Sequence, residues 1–226
     1  MKKTIMTLIA LMVMAVQFAS AQNYEVEYEV RFNPSDIMKM MGVGNDAPPE
    51  IMNTLRQQIM GAQVFISVNM SKDKEDAQLL SDKSNFVINM MGNVMDMKPM
   101  LEFMEFSSYT DYTAKESYTK MNIQGARYLI KNEMPQPEEF KLTKKTKKIL
   151  GHECVRMNTK SGLKIWYATD LPFETEAYKG VPGVILAVDM NGTLMTAVSV
   201  TPNDKEIVLP KDAKIVTREE LSKMMM

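Results

Sequence analysis

The stretch Val184-Ile185-Leu186-Ala187-Val188-Asp189-Met190-Asn191-Gly192-Thr193-Leu194-Met195-Thr196-Ala197-Val198-Ser199-Val200 reads as two β-strands joined by a tight turn. Val184 to Val188 is an unbroken apolar run of strand formers, the pattern of a strand covered on both faces, although its length also admits a buried helix. Asn191-Gly192 is the dipeptide favoured in two-residue hairpins, where both central residues need positive φ. That turn predicts pairing of Met190 with Thr193 and of Val188 with Met195. Just upstream, Pro182-Gly183 predicts a type II turn: Pro182 fixes φ at the second position and Gly183 permits positive φ at the third. Val181, preceding the proline, is pushed toward extended geometry. On this reading Gly180, Pro182, Gly183, Asn191 and Gly192 are architectural residues.

Working outward, period-2 patterns recur. Tyr24, Val26, Tyr28, Val30 and Phe32 alternate with Glu25, Glu27, Glu29 and Arg31, as in an antiparallel strand with one dry and one wet face. Val64, Ile66, Val68 and Met70 repeat the pattern, and Ser71 to Asp76 reads as a polar turn. Further strands are expected near Ser84 to Met91, within Ser107 to Met121, and at Arg127 to Lys131 and Phe140 to Leu150. A hairpin is expected from Glu153 to Ala168, turning at Lys160-Ser161-Gly162. Asn93 to Phe106 stays ambiguous, because Pro99 interrupts a helical pattern. Ser35 is placed to cap a short helix ending near Met41. Pro49 fits the first turn of a helix from Glu50 to Met60, in which Ile51, Leu55 and Ile59 stack and Met52 and Met60 line a face. Thr217-Arg218-Glu219-Glu220 is a capping box opening a final helix. The expected fold is β-rich α+β: one curved antiparallel sheet, an open half-barrel, with two or three helices packed on it. Such a half-barrel resembles the lipoprotein carriers of bacterial envelopes.

The N-terminus carries Lys2 and Lys3, an apolar run from Ile5 to Phe18, and Ala19-Ser20-Ala21, an A-x-A cleavage site. Residues 1–21 are therefore expected to be a signal peptide, and 22–226 a single domain. The apolar run is too short for a membrane span. The expected destination is periplasmic or secreted, without a lipid anchor, because the one cysteine is Cys154 and none stands at the cleavage site. A lone cysteine makes no internal disulfide. The formal net charge of −1 offers no basic footprint for nucleic acid.

Tyr178-Lys179-Gly180-Val181-Pro182-Gly183-Val184-Ile185-Leu186-Ala187-Val188-Asp189 resembles the signature of the GLPGLI family, small exported proteins of Bacteroidetes-type bacteria. Lys148-Ile149-Leu150-Gly151-His152-Glu153-Cys154, Ile165-Trp166-Tyr167 and Leu171-Pro172 resemble further elements of that family. The resemblance covers about Tyr128 to Asp189. Valines stand where the signature has its two leucines, His152 stands where an aromatic is usual, and Phe140 where a tryptophan is common. The resemblance implies export and supplies no catalytic residues.

Catalytic motifs are sparse. His152, the only histidine, lies two residues from Cys154, on the same strand face. A Cys-His nucleophile also needs activation and an orienting group, so Cys154 is read as a buried small hydrophobe and no catalytic residue is assigned. Neither zinc-ligand spacing, nor G-x-S-x-G, nor a phosphate loop occurs. Methionine is the anomaly, with 24 residues in the chain. Met95, Met97 and Met100 are spaced densely enough to hold Cu(I), which soft thioethers suit. Met90, Met91 and Met104 are candidates for a pliant surface that binds an apolar small molecule, a lipid or an envelope protein. The expected function is non-catalytic binding of that kind, with copper handling as the alternative and an enzyme as a remote one. Lys141, Lys144, Lys145, Lys147 and Lys148 read as a solvated strand face, or as a patch for an anionic envelope surface. Tyr109, Tyr112 and Tyr118 read as cross-strand core pairs, or as a platform for sugars.

Overall fold

The computed structural model describes residues 23–44, 47–90, 92–103, 106–123, 125–136 and 139–225. The expected leader, residues 1–21, lies outside them, as do Met91 and Met104. In chain order the elements are β1 (Asn23–Arg31), α1 (Pro34–Met40), α2 (Pro49–Met60), β2 (Val64–Met70), β3 (Lys74–Leu79), β4 (Val87–Met90) and β5 (Asn93–Asp96). Then come α3 (Lys98–Phe103), β6 (Ser108–Asp111), β7 (Glu116–Ile123), β8 (Ala126–Asn132), β9 (Phe140–Ile149) and β10 (His152–Thr159). The chain continues through β11 (Lys164–Ala168), β12 (Ile185–Met190), β13 (Thr193–Asn203), β14 (Lys214–Val216) and α4 (Arg218–Met225).

Twelve strands form one curved sheet in the order β14-β8-β7-β6-β3-β2-β1-β13-β12-β11-β10-β9. It does not close into a barrel, and β14 and β9 are its ends. The fold is β-rich, as the alternating patterns predict, with three corrections. The described residues form four helices, where two or three are expected. The sheet is not wholly antiparallel, because β14 runs parallel to β8. A separate two-stranded sheet, β4 with β5, stands apart from it. The described residues of Ser84 to Met91 and of the ambiguous segment after it include that hairpin followed by α3, with Pro99 in the first turn of the helix, where a proline's missing N–H costs nothing.

β1 is central, and its alternation sets the inner face: Tyr24, Val26 and Val30 are fully buried and Tyr28 nearly so. The hairpin at Asn191-Gly192 forms in the predicted register, Met190 opposite Thr193 and Val188 opposite Met195. Asn191 has φ +55° and Gly192 φ +104°. β12 is buried from Ile185 to Val188, so the apolar run is a strand covered on both sides.

Two local expectations are corrected. The cap of α1 is Asn33, whose side chain accepts from the Ser35 N–H at 3.1 Å, with Pro34 as the first helical residue. Ser35 is inside the first turn. The turn near Pro182 lies earlier: the Val181 N–H donates to Tyr178 O at 3.0 Å, and Gly180, at φ +86°, holds the third position. Gly183 is a glycine for another reason. A Cβ there would overlap the carbonyl oxygen of Ala168 on β11, so only glycine admits this approach of two backbones.

The main core joins the inner face of β1 and β2 to the helices and the β4-β5 hairpin. Leu55 and Ile59 of α2, Phe86, Ile88 and Leu101 are at most 1% exposed. Met60, by contrast, is 69% exposed and faces away from this contact. At the far end of the sheet α4 packs Leu221 against Met121, Ile130 and Val216. Its capping box forms as read: Thr217 Oγ1 accepts from the Glu220 N–H at 3.1 Å, and the Glu220 carboxylate accepts from the Thr217 N–H at 2.8 Å.

Candidate functional site

The connection between β11 and β12, residues 169–184, has no regular structure and runs across the inner face as a strap. Its anchors are specific. Phe173 meets Tyr24 edge-to-face, with ring centroids 5.1 Å apart. The Glu176 N–H donates to Lys72 O at 2.8 Å, tying the strap to the turn before β3. Val181 packs against Tyr167 and Ile185. Pro172, Gly180, Pro182 and Gly183 deny the strap any periodic apolar face, so it covers the sheet without filling the space beneath.

That space is a cavity of about 520 Å³, within the range of roughly 300–1,000 Å³ typical of small-molecule sites. Its floor is the sheet: Tyr28, Ile66, Val68 and Ala77 at the centre, Val188 and Met195 to one side. Phe173, Tyr178 and Val181 of the strap, Ile37 and Met40 of α1, and Phe106 form its walls. Two acids line it as well, Asp36 of α1 and Glu75 of β3.

Glu75 is the unusual member. It pairs with Met70 of β2 and Thr110 of β6, in line with inward-facing Tyr24. The Tyr112 hydroxyl donates to Glu75 Oε2 at 3.1 Å. Burial pushes the Glu75 carboxyl above the usual carboxylate range, and the Tyr112 hydrogen bond offsets part of that rise. Tyr28 donates its own hydroxyl to Ile185 O at 2.7 Å. Burial, reinforced by Tyr178 and Glu75, raises the Tyr28 phenol far above its ordinary value.

Sequence reasoning missed Glu75, because Ser71 to Asp76 reads as a polar turn. The turn is shorter, closing where the Ser71 N–H donates to Lys74 O at 2.8 Å, and β3 starts at Lys74. The faint available signal was the alternation of Ala77 and Leu79 with Asp76 and Gln78. Five residues of the stretch 178–189, namely Tyr178, Val181, Gly183, Ile185 and Val188, also line the cavity, so its role is not confined to shaping turns.

The methionines of the cavity do not include Met90, Met95, Met97 or Met100. Met40, Met70, Met190 and Met195 border it. Met90 instead borders a smaller cleft of about 240 Å³ beside Ile51 and Leu55 of α2. Met95, opposite Ile88 on the β4-β5 hairpin, is 38% exposed. Met97 is 9% exposed within the main core, and Met100 packs against that core. Packing thus occupies two of the three residues read as copper ligands. Among the described residues, no group of three or more His, Cys, Asp or Glu is placed to hold a metal ion.

Cys154 is fully buried, and burial pushes its thiol up, away from the thiolate a nucleophile needs. The His152 ring places Nδ1 3.0 Å from Asp170 Oδ2, while the Cys154 thiol faces the His152 carbonyl at 3.7 Å. Tyr109 and Tyr118 form a buried cross-strand pair, whereas Tyr112 turns to Glu75. The lysine run lies on β9, the last strand of the sheet, where exposed Lys141, Lys144, Lys145 and Lys148 guard an open edge against pairing with another chain. Lys147 instead lies 4.5 Å from the Trp166 ring centroid. Among the described residues, no helix is long and apolar enough to cross a membrane.

No protein-family model matches the chain, and no curated protein sequence matches it. Among solved structures, the chain is similar to PNGF-II in a C2 crystal form, with 18% identity and a TM-score of 0.43 over 91% of this chain and 32% of that one. The P21 form of PNGF-II gives 17% identity and the same TM-score of 0.43, over 90% and 33%. The chain thus spans about a third of the length of the solved protein it matches.

Proposed function

We propose that this protein is an exported, non-catalytic binding protein that holds an apolar small molecule, or the apolar part of a lipid, between the strap and the inner face of an open half-barrel. The observation that carries this reading is the cavity of about 520 Å³, walled mainly by aliphatic, aromatic and methionine side chains. Apolar surface left open to water is unfavourable by roughly 25 cal/mol per Å², and a ligand that covers it recovers that free energy. Methionines at Met40, Met70, Met190 and Met195 make the wall adaptable. The resemblance of Tyr178 to Asp189 to the GLPGLI signature, and the signal-like residues 1–21, support export to the bacterial envelope.

The test uses N-phenyl-1-naphthylamine, a fluorescent apolar probe, with the chain from Gln22 onward. The expected result is saturable enhancement, displaced by dodecanol and lost in Ala77→Phe, which fills the cavity floor. Absence of saturable binding, or binding unchanged in Ala77→Phe, overturns the proposal. Cu(I) titration of a variant with Leu at positions 95, 97 and 100 separates the alternative: a copper affinity that collapses in that variant marks a metal-handling protein.

A further inference from the structure

The ionisable side chains that line the cavity share one chemical character. Glu75 and Asp36 are acids, Tyr28 and Tyr178 are phenols, and no Lys, Arg or His appears among the described residues that line it. The groups around Glu75 sharpen this asymmetry. Tyr28 faces it from β1, Tyr112 from the turn after β6, and Tyr178 reaches the same phenol cluster from the strap. All are acids in the proton-transfer sense, and none supplies a positive charge. The Tyr112 hydroxyl donates to Oε2 of Glu75. The Tyr28 hydroxyl has spent its proton on Ile185 O, so toward the cavity it offers only lone pairs.

A carboxyl in an apolar cavity without a cation beside it is an incomplete pair. The missing partner is a cation that arrives with the ligand. Phe106, Phe173 and Tyr178 also line the cavity, and an aromatic ring face attracts an ammonium group and not an anion. A carboxylate or phosphate head would find acceptors, a second acid at Asp36, and no counter-charge.

Taking the cavity as the binding site proposed above, we infer that it selects amphiphiles whose polar end is an amine, seated against Glu75, and rejects those ending in a carboxylate. When the ammonium enters, it forms an ion pair with the Glu75 carboxylate. Because burial holds that carboxyl above the usual carboxylate range, amine binding weakens as pH falls through the raised range.

The experiment is isothermal titration of the chain from Gln22 onward with dodecylamine, dodecanol and dodecanoate, each below its micelle concentration, at neutral pH. The expected order is amine at least tenfold tighter than alcohol, with carboxylate weakest. In Glu75→Gln the amine-to-alcohol ratio falls to about one, while Asp36→Asn keeps most of it. Dodecanoate binding as tightly as dodecylamine overturns the inference, as does a preference that survives Glu75→Gln or one lost only in Asp36→Asn. Alcohol binding without amine preference overturns this inference and leaves the cavity reading standing. Failure of all three compounds to bind overturns both.

Discussion

The inner face of the sheet is covered in two ways. Over β1 and β2 the cover is α1, α2, α3 and the β4-β5 hairpin, and the interior closes: Leu55, Ile59, Phe86, Ile88 and Leu101 are almost wholly buried. Beside it, over β3 and β12, the cover is the strap, and a cavity of about 520 Å³ remains. The same sheet supplies similar aliphatic residues to both, so the difference lies in the cover. A helix presents apolar side chains every three to four residues and can interlock with the strands. A segment punctuated by Pro172, Gly180, Pro182 and Gly183 presents a few anchors and spans the gaps between them.

The largest expected effect tests whether one region is packed and the other open. Leu55→Ala should cost about 2–5 kcal/mol in urea unfolding, since it leaves a void in a closed core. Met190→Ala, whose side chain already borders open space, should cost about 1 kcal/mol or less, and its main consequence should be weaker binding of an apolar probe. Equal costs at the two sites would erase the distinction drawn here between core and cavity.

The second effect concerns how the strap is held. Gly183→Ala brings a Cβ into the Ala168 carbonyl, and one backbone must yield. A loss of about 1–3 kcal/mol is expected, together with loss of probe binding, because Val181 and Tyr178 shift with the strap. A variant as stable as the parent, with probe affinity unchanged, would show that the strap is not seated through this contact.

The two regions also differ in how legible they are in the chain. The alternation of Tyr24 to Phe32, the i, i+4 stripe of α2, the capping box at Thr217 and the Asn191-Gly192 register are local patterns, and local geometry enforces them. The cavity is assembled from segments far apart in sequence. β3 is a strand because β2 and β6 pair with it on both sides, and that ladder overrides the low strand propensity of Lys74, Glu75 and Asp76. On the outer face Asp76 is neutralised by Lys120, which lies 44 residues away in the chain. Gly183 looks like a turn glycine until Ala168 is placed beside it. The methionines divide the same way: Met40, Met70, Met190 and Met195, far apart in the chain, border one cavity, whereas Met97 lies in the main core with Met90 and Met100 packed against it.

The smallest effect is the most discriminating, because the strap-covered region should pay for its polarity with stability. Burial raises the Glu75 carboxyl above its ordinary range in the folded protein. The folded state then holds a proton that the unfolded chain releases, so stability falls as pH rises from the ordinary carboxylate range through the raised value, and is fully retained below that range. Glu75→Gln removes the titration while keeping an acceptor for the Tyr112 hydroxyl. The variant should match the parent near pH 3, unfold at a higher temperature at pH 8, and open that gap progressively between. Thermal midpoints across this series, read without added ligand, check the sign. A gap independent of pH would mean that the carboxyl titrates as it does in the unfolded chain. A variant less stable than the parent at pH 8 would mean that Glu75 is ionised and compensated in the free protein. The cavity would then differ from the closed core only in volume, and not in charge.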